Sequence, residues 1–191
     1  MKKVILAVIA IVTLALTQAT AQTGKSEEAL LENLRANKLN RLPATAGDAA
    51  LTNQEGEANV SDVQQVQTNT VANQANVLQV GSFNQVAVQQ YGSGISTSVS
   101  QYGNNNSFES SLMGNNLNSD VVQQGDGNAV NQQIRGNNLD YSLIQLGSNN
   151  TINQVETTPA SRSYQVVQEG NNMNITIEQS RGFAPATIQK Q

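Results

Sequence analysis

Residues 79–103 read QVGSFNQVAVQQYGSGISTSVSQYG, and this stretch decides the fold because its pattern recurs along the chain. Glycine returns seven times in succession at a spacing of 11 residues, and a further copy follows a short insertion. These glycines are Gly81, Gly92, Gly103, Gly114, Gly125, Gly136 and Gly147, with Gly170 in the later copy. A repeat of constant length is typical of stacked architectures and has to be recognised before any local secondary-structure assignment.

Two kinds of 11-residue unit alternate, so the full repeat has 22 residues. In one kind, glutamine stands two positions before the glycine and asparagine three positions after it. The glutamines are Gln79, Gln101, Gln123, Gln145 and, in the later copy, Gln168. The asparagines are Asn84, Asn106, Asn128 and Asn150. In the other kind, the position of the asparagine is apolar, and an earlier copy of the first kind spans Gln54–Asn59.

Apolar and amide side chains alternate within each unit, as in Val86, Val88 and Gln90. This period of two predicts β-strands, because a helix would need a period near 3.6. Glycine and asparagine adopt positive φ with little strain, so residues 114–116 and 136–138 predict tight turns. One repeat then forms a strand–turn–strand rung, and rungs stack about 4.8 Å apart. The sequence therefore predicts an all-β solenoid with rungs of about 22 residues.

Stacking in register places equivalent residues in columns along the solenoid axis. We expect the glutamines and asparagines named above to point inward and form amide ladders from rung to rung. Two apolar columns would fill the dry centre: Val77, Val99, Val121, Leu143 and Val166, and Val86, Phe108, Val130 and Ile152. Other positions are expected to point outward, among them Glu109, Asp120, Gln133, Asn153 and Glu178.

The composition argues against catalysis. The chain has 191 residues, of which 25 are Asn and 23 are Gln, and it contains no His and no Cys. Without these two residue types, Ser-His and Cys-His nucleophile pairs and the common zinc ligand sets cannot form. The formal net charge of −4 offers no basic surface for nucleic acid. We therefore expect no enzymatic activity, no cofactor, no metal site and no requirement for nucleic acid.

The flanking segments differ from the repeats. Lys2 and Lys3, the apolar run 4–16 and the small residues of Ala19-Thr20-Ala21 predict a signal peptide over residues 1–21. The apolar run is too short to span a bilayer as a helix. We assign residues 22–50 to a flexible or partly helical leader, 51–183 to the repeat domain and 184–191 to a C-terminal tail. The chain is accordingly expected to be secreted and not membrane-spanning after cleavage.

The pattern Gln-x-Gly-x-x-Asn with a later closing Gln resembles the curlin repeat of curli, an extracellular functional amyloid of bacteria. The family pattern is Ser-x5-Gln-x-Gly-x-x-Asn-x-Ala-x3-Gln, and the resemblance covers about residues 54–181. Residues 79–90 fit well, and residues 54–65 fit with Ser61 in the alanine position. The closing glutamine is replaced by Leu112, Ile134 and Glu156 in later copies. The family serine is replaced by Asn73, Ile95, Leu117 and Leu139.

The resemblance implies a curlin-like fibre subunit of the cell surface, with roles in biofilm matrix and adhesion. Its implied partners are further copies of itself, other curlin subunits, and a curli-type outer-membrane export pore with its accessory proteins. Whether it would be the major subunit or a minor nucleator stays open.

The ends of the repeat domain bear on assembly. Residues 173–179 continue the strand pattern without an evident cap, so we expect an open end that favours head-to-tail stacking. The alternative is a monomeric secreted solenoid that acts as an adhesin or binds a surface or carbohydrate. Asp120, Asp126 and Asp140 are either gatekeepers against premature aggregation or ordinary solvated positions.

Overall fold

The computed structural model describes residues 10–13, 47–157 and 162–179, and the regular structure within these ranges consists of strands only. The helical pattern predicted for the leader lies outside the described residues. The tail 184–191 also lies outside them. The strands are β1 (Ala10–Thr13), β2 (Ala49–Glu55), β3 (Val60–Gln67), β4 (Gln74–Val80), β5 (Gln85–Ser93), β6 (Ser96–Tyr102), β7 (Ser107–Gln124), β8 (Ala129–Leu146), β9 (Thr151–Glu156), β10 (Tyr164–Glu169) and β11 (Asn174–Gln179).

The strands form a β-solenoid of about six rungs, which confirms the predicted fold class. A first face contains β2, β4, β6, residues 118–124 of β7, residues 140–146 of β8, and β10. A second face contains β3, β5, residues 107–115 of β7, residues 129–137 of β8, β9 and β11. All neighbouring strands pair in parallel, because the chain returns to each face in the same direction after one full turn.

Equivalent residues in the central rungs are 22 positions apart, as in the pairing of Gln101 with Gln123. The spacing is 25 residues between Gln54 and Gln79 and 23 between Gln145 and Gln168. The register is nevertheless kept, because the extra residues lie in the connections between rungs. β1 extends the first face by pairing in parallel with β2, with Ala10 opposite Leu51. β1 lies inside the segment predicted to be a signal peptide.

Glycine is required at the corners because the backbones of successive rungs approach closely there. A Cβ atom on Gly103 would lie 2.2 Å from the carbonyl oxygen of Gly125, and one on Gly114 would lie 1.7 Å from that of Gly136. The predicted turns at residues 114–116 and 136–138 are such corners, and Asn116 and Asn138 have positive φ. β7 and β8 nevertheless keep their pairing through this corner, so each is one strand of 18 residues.

The centre of the solenoid contains the predicted apolar columns. One cluster joins both faces: Val77, Val86, Val88, Val99, Phe108, Val121, Val130, Leu143, Ile152, Ile175 and Ile177, with Val166 partly buried against it. A second cluster fills the corner that follows the second face: Ile95, Leu112, Leu117, Ile134, Leu139 and Tyr141. The apolar residues that replace the closing glutamine and the serine of the curlin-like pattern therefore pack against one another as a separate small core.

The outer surfaces of the two faces differ. On the second face, Glu109, Gln133 and Glu178 are exposed, as predicted for outward positions. On the first face, four outward side chains in the central rungs are buried: Ser100, Asp120, Val122 and Ile144. The expectation that Asp120 is an exposed outward residue is therefore wrong, since it is only 4% exposed. It shares this buried surface with two apolar side chains, and its carboxylate accepts a hydrogen bond from Asn118 at 3.2 Å.

Candidate assembly site

Six glutamines, one from each rung, form a continuous hydrogen-bonded ladder inside the first face. Each Nε2 donates to the Oε1 of the glutamine in the next rung at 2.6–2.9 Å, in the order Gln54, Gln79, Gln101, Gln123, Gln145 and Gln168. The five predicted glutamines all belong to this glutamine ladder, and Gln54 extends it by one rung.

The second Nε2 hydrogen of five of these glutamines links the two faces. Gln101 donates to the backbone oxygen of Gln85 at 3.0 Å, and Gln123 donates to that of Ser107 at 3.0 Å. The same contact recurs at Gln79, Gln145 and Gln168. A buried amide whose donors and acceptor are used is stabilising, whereas an unpaired one is costly. The ladder therefore holds the rungs together and also ties the first face to the second.

Five asparagines form an asparagine ladder at the corner that follows the first face: Asn59, Asn84, Asn106, Asn128 and Asn150. The Oδ1 atom of Asn84 accepts hydrogen bonds from both the backbone nitrogen and the Nδ2 of Asn106, at 3.0 and 3.1 Å. The Nδ2 of Asn84 in turn donates to the oxygen of Gly103 at 2.7 Å. The four predicted asparagines thus lie buried inside the solenoid and belong to this ladder. The ladder ends at Met173, whose backbone nitrogen still donates to Asn150 at 3.1 Å.

The column that begins with the closing glutamines Gln65 and Gln90 changes its residue type along the solenoid. In the first two rungs, Gln65 donates to Gln90 at 2.8 Å. The next two positions in the column are the buried Leu112 and Ile134, which belong to the second apolar cluster. The fifth position is Glu156, which pairs with Gln179 of β11. The amide ladder on this side is therefore limited to the N-terminal rungs.

Glu156 occupies the glutamine position as a fully buried carboxylate, with 0% of its surface exposed. Tyr164, which lies in the following rung, donates its hydroxyl hydrogen to this carboxylate. The pKa of Tyr164 is raised well above its usual value by burial and by the adjacent Glu156. The ring of Tyr164 also contacts that of Tyr141 edge-on, with centroids 4.9 Å apart. This cluster replaces the amide ladder at the C-terminal rungs, and the repeat pattern did not reveal it.

A second buried polar network was also missed from the sequence. In the second face, Gln132 Oε1 accepts hydrogen bonds from Ser110 and Ser119, both at 2.9 Å, and Gln132 Nε2 donates to Gln154 at 2.8 Å. The alternation of apolar and amide residues along Val130, Gln132 and Ile134, and along Ile152 and Gln154, puts both glutamines on the inner side. Their partners could not be assigned, because Ser110 and Ser119 come from opposite faces of the solenoid.

The other two candidate gatekeeper residues lie in exposed positions. Asp126 accepts hydrogen bonds from the backbone and side-chain nitrogens of Asn104, at 2.7 and 3.1 Å. Asp140 accepts one from Asn118 Nδ2 at 2.8 Å. Both aspartates therefore take part in short outer ladders of turn residues, which is a structural role whether or not they also slow aggregation.

Inner side chains are only partly buried at both ends of the solenoid. At the N-terminal end these include Gln54 and Val63, and at the C-terminal end they include Val166 and Gln179, although Gln168 and Ile177 of the same rung are buried. Within the described ranges, β10 pairs only with β8 and β11 pairs only with β9.

Within the described ranges, no group of three or more His, Cys, Asp or Glu residues could hold a metal ion, and no helix is long and apolar enough to cross a membrane. A shallow depression of about 330 Å³ lies over the second face and includes Gln89, Glu109, Asn131 and Gln133 in its lining. Searches against family models, curated proteins and solved structures gave no match to this chain. The ladders and the ends of the solenoid are therefore the features of the molecule that bear on its function.

Proposed function

We propose that this protein is a secreted structural subunit that stacks head to tail into an extracellular fibre of the curli type. The observation that carries the proposal is the continuous glutamine ladder, which has the same direction in every rung. Among the described glutamines, Gln54 at one end only donates along the ladder, and Gln168 at the other end only accepts. A second copy would continue the ladder in the same direction at either end.

The register of the end rungs supports this stacking. If Gln168 is placed opposite Gln54 of a second copy, the same offset along the chain places Gly170 opposite Gly56 and Gln179 opposite Gln65. Ile177 then falls opposite Val63, whereas the inward Val166 and Ile175 fall opposite Thr52 and Ser61, so some but not all inner columns continue with like residues. Head-to-tail contacts of this kind do not close on themselves and therefore generate a filament. Removal of the proposed signal peptide would also remove β1 and leave the edge of β2 available.

The resemblance to curlins extends the proposal to the cell. It assigns the fibre to the cell surface and the biofilm matrix, with export through a curli-type pore and contact with other curlin subunits. No catalytic step is part of this function.

Seeded assembly of the purified chain 22–191 tests the proposal. We expect slow growth of thioflavin-positive fibres, acceleration by preformed seeds, and a meridional diffraction spacing of about 4.8 Å. Immediate conversion that seeds another curlin would indicate a nucleator, whereas slow self-seeded growth would indicate a major subunit. A chain that stays monomeric under all conditions would refute the proposal.

The second candidate is a monomeric adhesin, favoured by the depression over the second face. Its lining includes the exposed amides of Gln89, Asn131 and Gln133, and such groups can hydrogen-bond to sugar hydroxyls. Binding of the monomer to a glycan array, abolished by Gln133→Ala together with Asn131→Ala, would support this function. Fibre formation without any glycan binding would exclude it in favour of the first.

A further inference from the structure

The N-terminal edge of the first face carries a short strand that lies outside the repeat. β1 pairs in parallel with β2, and its four residues lie opposite residues 51–54. Ile11, Val12 and Thr13 are all β-branched, and such residues favour a strand. A parallel pair needs a connection of about a dozen residues or more, and residues 14–48 meet this requirement. The segment predicted to be a signal peptide therefore supplies an extra strand to the first rung.

The backbone groups of β2 alternate in direction, and every second residue faces β1. The backbone nitrogen of Ala49 donates at 3.0 Å to the oxygen of Asn73, the residue before β4. Because the N–H groups of successive strand residues point to opposite sides, those of Thr52 and Gln54 point away from β4 and toward β1. In the register of the pair, Val12 lies between the partners of these two residues and turns its own N–H and C=O toward β2. These backbone groups hold β1 on the edge.

The free edge of β10 presents a matching set of backbone groups. The backbone nitrogen of Gly170 donates at 3.0 Å to the oxygen of Leu146 in β8. By the same alternation, the N–H groups of Gln165, Val167 and Glu169 point away from β8. Within the described ranges, β10 pairs with no strand on that side. The edge of β10 is therefore able to form a parallel ladder with the edge of β2 in a second copy.

β1 and an incoming β10 require the same edge of β2. In the proposed stacking register, residues 165–168 of a second copy lie opposite residues 51–54, which β1 already covers. Val167 would then take the place of Val12. Because a strand edge pairs with one neighbour, at a spacing of about 4.8 Å, the two strands exclude each other.

We propose that residues 10–13 are an intramolecular cap, which occupies the docking edge of the uncleaved chain and is lost when the proposed signal peptide is removed. This inference rests on the proposed head-to-tail stacking. An uncleaved chain keeps its β10 edge and so binds the N-terminal end of a fibre, but it offers no edge of β2 to the next copy. Cleavage is then the step that enables each subunit to continue the fibre.

The test compares four chains. They are the uncleaved chain 1–191, produced in a cell-free system without membranes, two proline variants of it, and the mature chain 22–191. Val12→Pro removes an N–H that faces β2, so it should release the cap. Ile11→Pro removes an N–H that faces away from β2, where an edge strand tolerates proline. The two variants keep the rest of the apolar segment, so a difference between them reports on the pairing of β1.

Hydrogen exchange of dilute monomer measures the cap itself. The backbone amides of Thr52 and Gln54 should exchange on the order of ten-fold more slowly in the uncleaved chain than in the mature chain, because they gain a hydrogen-bond partner in β1. Ile11→Pro should keep this protection, and Val12→Pro should lose it. The amides of β6 should exchange equally in all four chains. Equal rates at Thr52 in the uncleaved and mature chains, or in the two proline variants, would overturn the inference.

Seeded growth measures the consequence of the cap. On seeds of the mature chain, the uncleaved chain and Ile11→Pro should elongate more slowly than the mature chain by at least the same factor. Val12→Pro should recover most of the mature rate. Equal growth of all four chains would also overturn the inference. Absence of fibres from every chain would instead overturn the proposed function, and the exchange comparison would still decide whether β1 caps β2.

Discussion

Gln101 offers the sharpest test of the glutamine ladder, because its amide makes three hydrogen bonds in the middle of the solenoid. Its Oε1 accepts from Gln79 at 2.9 Å, and its Nε2 donates to Gln123 at 2.8 Å and to the backbone oxygen of Gln85 at 3.0 Å. Gln101→Ala removes all three bonds. It leaves buried polar atoms on both neighbouring glutamines without their ladder partner.

The magnitude follows from these contacts. Each lost bond costs about 1 kcal/mol net, and buried atoms left unpaired raise this cost, so Gln101→Ala should lower the free energy of unfolding by at least about 3 kcal/mol. The cavity left by the deleted atoms adds to the loss. Gln89→Ala removes the same atoms from an exposed outward position of the neighbouring rung. It should change the free energy of unfolding by no more than about 0.5 kcal/mol.

Urea unfolding of dilute monomer, followed by circular dichroism, measures the difference directly. Seeded fibre growth provides a second readout, in which Gln101→Ala with Gln145→Ala should slow elongation more than the outward pair Gln89→Ala with Gln133→Ala. Equal losses of stability in the inward and outward single variants would show that the ladder does not stabilise the solenoid. Equal elongation rates for the two double variants would remove the ladder from the assembly mechanism.

Further predictions concern the corners, the ends and the Tyr164 cluster. Phe83 is exposed and has a φ of 60°, so Phe83→Gly should raise the free energy of unfolding by about 1 kcal/mol in the same urea assay. Gly114→Ala should lower it by at least about 2 kcal/mol, since the added Cβ meets backbone. In the proposed stacking register Glu169 faces Glu55 of the next copy, so Glu169→Gln should accelerate seeded growth about four-fold at low salt, an effect that the exposed mid-stack control Glu109→Gln should not show. Because folding raises the pKa of Tyr164, the native state keeps a proton that the unfolded chain loses above about pH 10, so stability should fall as the pH rises beyond that value. Unfolding midpoints of Tyr164→Phe should decline less steeply over this range, and identical slopes would contradict the assignment.

The repeat made much of the assembly site predictable. In-register stacking imposes the same local requirement on every rung, so the positions of Gln101, Asn106 and Gly103 could be inferred from spacing alone. The positive φ of corner residues such as Asn116 and Asn138 follows from the same requirement. The residues of one column recur at a nearly constant spacing, so aligning the sequence by its 22-residue period shows them directly.

Contacts between different columns could not be predicted in this way. The hydroxyl of Tyr164 reaches Glu156 across one rung, and Ser119 reaches Gln132 from the opposite face. Neither pair recurs in other rungs, so no periodic signal identifies it.

What the sequence by itself determined is therefore the repeat, the inward and outward sides of each strand, and the residue types that stack in each column. The tertiary structure alone decided which neighbouring columns pack together and that Asp120 is buried on the outer side of the first face. The physical reason is that a period specifies contacts along the solenoid axis, whereas packing between columns and burial on an outer face depend on residues that do not recur.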